Sequence, residues 1–153
     1  MIVSIGSDHR GIQQRANISN AIESCGHTCV DHGTHSTDSF DYPDIVVPVC
    51  ESVIQGKSDR AIMICGTGIG VSIAANKIPG IRAAVCHDLH TAKLSRSHND
   101  ANVLCMAAEA ISPERMKEMI TLWLSVEFEG GRHGRRIEKI HKIELQYSAN
   151  PTS

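Results

Sequence analysis

The chain of 153 residues has few aromatic residues, almost no net charge and no long apolar run. Aromatic residues make up 3% of it, and the formal net charge is −2. With few rings to stack on bases and no excess of positive charge, nucleic acid is excluded as a partner. No segment approaches the roughly 20 apolar residues of a transmembrane helix, and residues 1–5 are too short for the apolar region of a secretory signal. We therefore expect a cytoplasmic protein with no membrane partner.

The cysteines and histidines show no metal-binding or disulfide pattern. None of the six cysteines lies in Cys-x-x-Cys spacing. Because a chain of this length buries a full hydrophobic core, unpatterned cysteines favour free thiols in a reducing compartment. The pairs His32/His35 and His87/His90 lack a third ligand at metal spacing, so we expect no metal site.

The most informative stretch is Ala61-Ile-Met-Ile-Cys-Gly-Thr-Gly-Ile-Gly-Val-Ser-Ile-Ala-Ala-Asn76. Residues 61–64 are apolar and uncharged, which is typical of a central strand in a parallel sheet. Gly66, Gly68 and Gly70 then form a loop, and residues 71–76 suit a helix packed closely on the sheet. Glycines let backbone N–H groups approach a ligand, and the helix directs its positive dipole end at it. We expect an anionic ligand here, or one that becomes anionic during a reaction.

Several known phosphate-binding motifs fail at this loop. A dinucleotide-binding fingerprint needs a third glycine where Val71 stands, and a Walker loop needs a terminal Gly-Lys-Ser/Thr. A cysteine-phosphatase loop needs an arginine, and none lies between Cys65 and Arg82. From the loop alone, Cys65 is either a thiol made reactive by the helix dipole or a small buried residue in a tight turn.

Alternating apolar segments predict the remaining elements. Strands are expected at residues 2–6, 28–31, 61–64, 81–86 and 102–106. Helices are expected between these strands, after Pro113, and from about His133 to the end. Because strands that alternate with helices form a parallel sheet covered on both faces, we predict a three-layer α/β sandwich. It has five parallel strands and an extra C-terminal helix in a single domain of residues 1–153.

Two predicted loops meet at one edge of this sheet. Ligands of open parallel sheets bind beyond the carboxyl ends of the strands. Asp8 and His9 follow the first strand, and Cys65 follows the third, so these side chains are expected to lie together. Arg132 and Arg136 share a helix face and are spaced to clamp a phosphate. The structural alternatives are a helix cap beside a surface histidine and a pair of exposed arginines.

A set of short motifs runs in order along nearly the whole chain. The motifs are Gly6-Ser-Asp-His9, Asp41-Tyr-Pro43, Ile64-Cys-Gly-Thr-Gly-Ile-Gly70, Ser72-Ile-Ala-Ala-Asn-Lys77, Gly80-Ile-Arg-Ala-Ala-Val-Cys86, Leu94-Ser-Arg96, His98-Asn-Asp100, Asn102-Val-Leu104 and Glu129-Gly-Gly-Arg-His133. They resemble the ribose-5-phosphate isomerase B family, which includes the galactose-6-phosphate isomerase subunits. The resemblance implies a Rossmann-like fold, a dimer or tetramer, and interconversion of an aldose phosphate and a ketose phosphate without metal or cofactor.

The resemblance also implies the catalytic residues. Cys65 would be the base that moves a proton between C1 and C2 of the sugar. Some relatives use a Glu further along the loop, but Val71 and Ser72 offer no carboxylate. His98 would open the furanose ring, with Asp8 nearby.

The remaining implied roles concern substrate binding. The ene-diolate would be held, as in an oxyanion hole, by Thr67 and the backbone of Gly66, Gly68, Ile69 and Gly70. The phosphate would be bound by His9, Arg132 and Arg136. Asn99 would bind one sugar hydroxyl, and Tyr42 would line the pocket.

One position departs from the family pattern. Many relatives carry an arginine where this chain has Glu109. Ribose 5-phosphate is the expected substrate, and galactose 6-phosphate or another hexose phosphate is the alternative. A non-catalytic phosphosugar-binding subunit is a second functional class, but the retained Cys65, Thr67 and His98 favour an enzyme.

The predicted topology places two groups of site residues at opposite edges of the sheet. His98 and Asn99 follow a helix that returns from the carboxyl edge, so they lie at the amino edge. A strand of about 5–6 residues spans roughly 17–20 Å, which a histidine side chain cannot bridge. We therefore predict an obligate dimer in which His98 of one subunit completes the Cys65 site of the other.

Overall fold

The structure contains five strands and six helices in the part of the chain that it describes. It is a computed structural model, and it describes residues 1–8, 11–33 and 41–148. The strands are β1 (Ile2–Ser7), β2 (Thr28–Asp31), β3 (Arg60–Cys65), β4 (Ala83–Val85) and β5 (Val103–Ala107). The helices are α1 (Ile12–Ser24), α2 (Tyr42–Ile54), α3 (Ile69–Ala75), α4 (Leu89–Ser97), α5 (Pro113–Ser125) and α6 (Arg132–Ser148).

The strands form one parallel sheet in the order β2-β1-β3-β5-β4. β3 lies at its centre, and all six of its residues are buried. The predicted five-stranded parallel sheet is therefore confirmed. Because β5 pairs with β3, the loop after β5 lies beside the loop after β3.

β4 is shorter than the predicted strand at residues 81–86. The backbone N–H of Arg82 donates to the side-chain Oδ1 of Asn102 at 2.8 Å, so a side chain takes the place of a strand neighbour. This bond joins the amino ends of β4 and β5, where the turn after α4 is also located.

Apolar side chains pack on both faces of the sheet. On one face, Ile22 of α1 and Trp123 of α5 pack with Ile62 of β3. On the other face, Val49 of α2 packs with Met63 of β3. All of these side chains are fully buried, and each such burial contributes about 1.5–3 kcal/mol. The predicted three-layer sandwich is confirmed by these two cores.

The turn after α4 is held by one buried arginine, Arg96, and one half-buried arginine, Arg82. The guanidinium of Arg96 lies 5.7 Å from the centre of the Trp123 ring and donates to Asp100 at 2.9 Å. Arg82 reaches the other oxygen of Asp100, also at 2.9 Å. Asp100 has φ +46°, the one positive φ among the described residues other than glycine. A left-handed residue with two ion pairs thus holds the segment that carries His98.

Most of α6 lies on the surface. Its one buried residue is His133. Ile140, Ile143 and Tyr147 are 47%, 57% and 69% exposed, so these apolar side chains lie outside the core of their own subunit. Among the described residues, no helix has the length and apolar character to cross a membrane.

Candidate active site

Cys65 is the last residue of β3 and is nearly buried. Its Sγ accepts a hydrogen bond of 3.1 Å from the backbone N–H of Gly68. A charged acceptor forms the stronger hydrogen bond, so this N–H interacts best with the thiolate. The hydrogen bond also fixes the sulfur at the start of α3.

Gly68 has the backbone conformation that this hydrogen bond needs. Its φ is +75°, in the left-handed region that favours glycine. A Cβ at this position would lie 3.0 Å from the carbonyl carbon of Met106 and 3.1 Å from its oxygen. The position therefore requires glycine both for conformation and for space.

The helix after this loop starts earlier than the sequence predicts. α3 begins at Ile69, so Gly70 belongs to its first turn and not to the loop. Thr67 is exposed, and its Oγ1 accepts a hydrogen bond of 3.3 Å from the N–H of Ile69. A Cβ on Gly70 would lie 2.7–3.0 Å from ring atoms of Tyr42, so the tyrosine ring lies directly over this helix start.

Asp8 follows β1 at the same edge of the sheet. Ser7 pairs with Ile64, so Asp8 lies beside the end of β3, as predicted. Its N–H donates to the Ile64 carbonyl at 3.3 Å, and its carboxylate accepts from the Gly11 N–H at 3.1 Å. The predicted phosphate ligand His9 lies outside the described residues.

The loop after β5 forms the next wall of this site. The N–H of Ala108 donates to the carbonyl of Cys65 at 2.9 Å, and the N–H of Glu109 donates to the carbonyl of Gly66 at 3.1 Å. Glu109 is exposed. The residue that departs from the family pattern therefore lies beside the glycine loop.

A second group of predicted residues lies at the opposite edge. His98 is the C-terminal cap of α4, and Arg132 begins α6. The N–H of Glu129 donates to the carbonyl of Ser97 at 3.0 Å, which joins the segment before α6 to the end of α4. This group includes two other predicted ligands. Asn99 lies in the turn after α4, next to His98, and Arg136 lies on α6, one helical turn after Arg132.

The sheet register keeps the two groups apart within one subunit. At one end of the paired strands Cys65 lies opposite Ala107, and at the other end Ala61 lies opposite Val103. Val103 is the first residue of β5 and follows closely after the turn that contains His98. Four steps of about 3.3 Å separate these levels by about 13 Å along the strand. One subunit does not bring His98 to Cys65.

The sequence did not reveal what surrounds His98. Its ring stacks on the ring of His133, with centroids 4.1 Å apart and an interplanar angle of 8°. Glu129 Oε2 lies 3.7 Å from Nε2 of His98 and 3.8 Å from Nε2 of His133. His98 and His133 each belong to one of the short motifs that resemble the family, but nothing in the sequence indicates that their rings stack.

Two histidines and a carboxylate at this spacing resemble a metal-ligand set. The lone pair of an imidazole nitrogen lies in the ring plane, and a metal binds within about 2.1 Å of the nitrogen in that plane. Two parallel, stacked rings have no point that satisfies both. Arg132 also donates from Nε to Nε2 of His133 at 3.4 Å, which occupies that lone pair. The orientation of the rings does not fit a bound metal.

The other buried thiols differ from Cys65 in their surroundings. Burial raises the pKa of Cys50 to about 12 and raises that of Cys105 well above its usual value. Such thiols stay protonated and unreactive at neutral pH. Cys65, at the end of its strand with an N–H directed at its sulfur, is the thiol suited to chemistry.

Comparisons with known proteins agree along most of the chain. A family model described as ribose/galactose isomerase matches residues 3–140. Ribose-5-phosphate isomerase B of Escherichia coli is 42% identical over 142 residues, which cover 93% of this chain and 95% of that protein. D-erythrulose-4-phosphate isomerase of Pectobacterium atrosepticum is 40% identical over 145 residues, covering 94% and 95%.

A solved structure extends this agreement to the fold. Ribose-5-phosphate isomerase B of Clostridium thermocellum matches with a TM-score of 0.93 and 46% identity, covering 96% of this chain and 99% of that one. The sequence, the sheet topology and the strand–glycine loop–helix unit thus point the same way. The chain belongs to the ribose/galactose isomerase family.

Proposed function

We propose that the protein interconverts ribose 5-phosphate and ribulose 5-phosphate through an ene-diolate. The observation that carries this proposal is the hydrogen bond from Gly68 to the sulfur of Cys65, which holds a nearly buried thiol at the mouth of a glycine loop. Membership of a sugar-phosphate isomerase family supplies the substrate class. The six free cysteines suit a reducing compartment, and we infer the cytoplasm.

Cys65 performs the carbon chemistry in this proposal. The thiolate removes the proton from C2 of the open-chain aldose, and the electron pair left behind moves into an ene-diolate. The same proton, or one from solvent, is then returned to C1, while the proton of the O2 hydroxyl is transferred to O1 as the carbonyl forms at C2. Because this intermediate carries negative charge on oxygen, it needs fixed donors. In this proposal they are the Thr67 hydroxyl and those N–H groups of the glycine loop that are not already bonded to Cys65 Sγ or Thr67 Oγ1.

His98 and Asp8 perform the ring opening that precedes this step. The C1–O4 bond of the furanose breaks, O4 takes up a proton, and the O1 hydroxyl gives up a proton as its electron pair completes the carbonyl. Two groups must therefore act together, one as acid and one as base. Asn99 binds a sugar hydroxyl, and Arg132 and Arg136 bind the phosphate together with His9.

The active site is assembled between two subunits. Within one chain, the Cys65 group and the His98 group lie at opposite ends of the strands. Apolar side chains are exposed on α3, which begins at the Cys65 end: Ile69 and Ile73 are 51% and 58% exposed. A two-fold dimer would bring the carboxyl edge of one subunit to the amino edge of the other, twice, and cover both surfaces.

A groove at the amino edge supports this arrangement. It has a volume of about 940 Å³ and lies between α6 and the start of β4. Arg82 and Asn99 line its polar side, and Ile140, Ile143 and Tyr147 line its apolar side. An exposed apolar surface beside a predicted ligand suits a second copy of the chain.

A second sugar is favoured by one observation. Glu109 places a carboxyl group on the loop next to Gly66, at a position where the resemblance described above implies an arginine. A related isomerase bears the name of a four-carbon ketose phosphate, so the family accepts sugars of different length. A tetrose or hexose phosphate is therefore the alternative substrate.

The proposed function is tested by an isomerase assay of the purified protein alone on ribose 5-phosphate, erythrose 4-phosphate and galactose 6-phosphate. We expect turnover of ribose 5-phosphate, and loss of about 10²–10⁴-fold in Cys65→Ala with phosphosugar binding retained. Cys25→Ala, which removes a partly exposed thiol far from the loop in sequence, is the control. Near-normal turnover in Cys65→Ala, or no turnover of any sugar by the wild type, would overturn the proposal.

A further inference from the structure

The residue behind His98 has a defined environment that the reaction outlined above does not use. The side chain of His133 is 7% exposed, whereas that of His98 is 32% exposed. The two rings are stacked at 4.1 Å. His133 is therefore a wall on one face of His98, while the other parts of the His98 ring remain open to a substrate.

The proton position on His133 follows from its neighbours. Arg132 donates from Nε to Nε2 of His133 at 3.4 Å, so Nε2 is an acceptor and the proton of the neutral ring is on Nδ1. Burial lowers the pKa of His133, and the charges of His98, Arg132 and Arg136 lower it further. Glu129 acts in the opposite direction. His133 is thus a neutral ring at neutral pH.

Glu129 then serves His98 and not His133. Its Oε2 is nearly equidistant from Nε2 of the two rings, at 3.7 Å and 3.8 Å. Nε2 of His133 is an acceptor and offers no proton to a carboxylate. Of the two nitrogens, Nε2 of His98 is therefore the one that can carry a proton toward Glu129, at an ion-pair distance of 3.7 Å.

We propose that His133 is a positioning residue that holds the ring of His98 for ring opening, as a neutral aromatic platform. The proposal rests on the proposed function, because it assigns His133 to one step of that reaction. The charged and titratable groups around the pair are Glu129, Arg132 and Arg136, from the segment before α6 and from α6 itself. From α4, His98 is the group that faces His133.

A neutral platform has a physical advantage over a second cation. When His98 holds the proton that it gives to O4, a charged ring stacked on it would repel that charge. A neutral ring gives the stacking contact without this cost.

Two substitutions separate the two contacts of His133. His133→Phe keeps a flat ring against His98 and removes the acceptor for Arg132. His133→Gln keeps an acceptor of similar reach and removes the ring. His141→Phe and His141→Gln are matched controls on the same helix, since that side chain is 62% exposed and pairs with Glu144 on the surface. Glu129→Gln changes a side chain that is 56% exposed, so it cannot unfold the core.

The readout must separate ring opening from carbon chemistry. Ribulose 5-phosphate has no furanose to open, because its C5 oxygen carries the phosphate. Its C1 proton exchanges with deuterium from D2O when Cys65 forms the ene-diolate, and this exchange needs no ring step. Net formation of ribulose 5-phosphate from ribose 5-phosphate needs both steps. Mass spectrometry or NMR measures the exchange, and a coupled assay measures the isomerisation.

We expect His133→Gln to lower net isomerisation by at least about tenfold, within the range of a general acid. Deuterium exchange should stay within about threefold of wild type, because it uses Cys65 and not His98. His133→Phe should keep isomerisation within about threefold, because the stack is retained. Glu129→Gln should lower isomerisation and spare exchange. Thermal melting checks that each variant is folded.

Three results would overturn the inference. Equal losses of isomerisation and exchange in a folded His133→Gln protein would mean a structural role. Normal isomerisation in that variant would show that His98 does not need the ring of His133 for ring opening. Loss of isomerisation in His133→Phe with full activity in His133→Gln would mean that His133 acts only through its contact with Arg132. A wild-type protein with neither isomerisation nor exchange would instead refute the proposed function.

Discussion

The backbone N–H of Gly68 donates a hydrogen bond to Sγ of Cys65 at 3.1 Å. The bond closes a three-residue turn between β3 and α3, and it depends on the positive φ of Gly68. The geometry of the proposed base is therefore set by a neighbouring glycine backbone, and this makes the glycine a more informative target than the thiol itself.

Gly68→Ala should lower both stability and activity. A left-handed conformation costs a non-glycine residue roughly 1–2 kcal/mol, and the added Cβ would also press on the backbone of Met106. Gly26→Ala is the matched control, because Gly26 has φ +77° and nothing within 4 Å of the added Cβ. Urea unfolding and kcat should show a larger stability loss in Gly68→Ala than in Gly26→Ala, and a loss of kcat only in Gly68→Ala. Equal effects of the two substitutions would mean that crowding at Gly68 is unimportant.

Glu109→Arg should change sugar preference more than stability. Glu109 is exposed and its backbone is bonded to Gly66, so a reversed charge alters the field beside the glycine loop with no core side chain moved. The ratio of kcat/KM values among ribose, erythrose and galactose phosphates should move, while the melting temperature stays nearly constant. Glu109→Gln removes the charge and keeps the shape of the side chain. Its kcat/KM ratio should lie between those of wild type and Glu109→Arg. An unchanged ratio would show that Glu109 does not face the pocket.

His133 should make the fold less stable on acidification. Its pKa is lowered in the folded protein, mainly by burial. The unfolded chain, with an ordinary histidine pKa of about 6.5, then binds a proton that the folded protein does not. Stability is therefore lost as the pH falls from about 6.5 toward the lower folded pKa. His133→Phe should lose less stability than wild type over this range, and His141→Phe should behave like wild type. If the melting temperatures of wild type and His133→Phe fall equally as the pH is lowered, this would contradict a lowered pKa of His133 in the folded protein.

The sequence predicts local elements better than it predicts the contacts among them. The apolar run in β3 and the glycines after it are local patterns, so the strand and the loop are predicted correctly. The start of α3 is misplaced because Gly70 reads as a loop residue, whereas Tyr42 of another helix packs on it. No local pattern indicates that contact.

Long-range geometry explains the other features that the sequence does not show. The left-handed Asp100 depends on Arg82, eighteen residues away. The His98–His133 stack depends on how α6 returns to the end of α4. By contrast, the separation of His98 from Cys65 follows from topology alone, since helices return the chain to the amino edge of a parallel sheet, and the register supports it.

The central claim is that each active site contains Cys65 of one subunit and His98 of the other. It is tested by mixing Cys65→Ala and His98→Ala proteins, each inactive alone, under conditions of demonstrated subunit exchange. In a mixed dimer one site carries both lesions and the other carries neither, so random exchange of equal amounts should restore about one quarter of wild-type activity. Two differently tagged Cys65→Ala proteins provide the control, which should stay inactive. No recovery despite exchange, or full activity in a true monomer, would contradict the shared site.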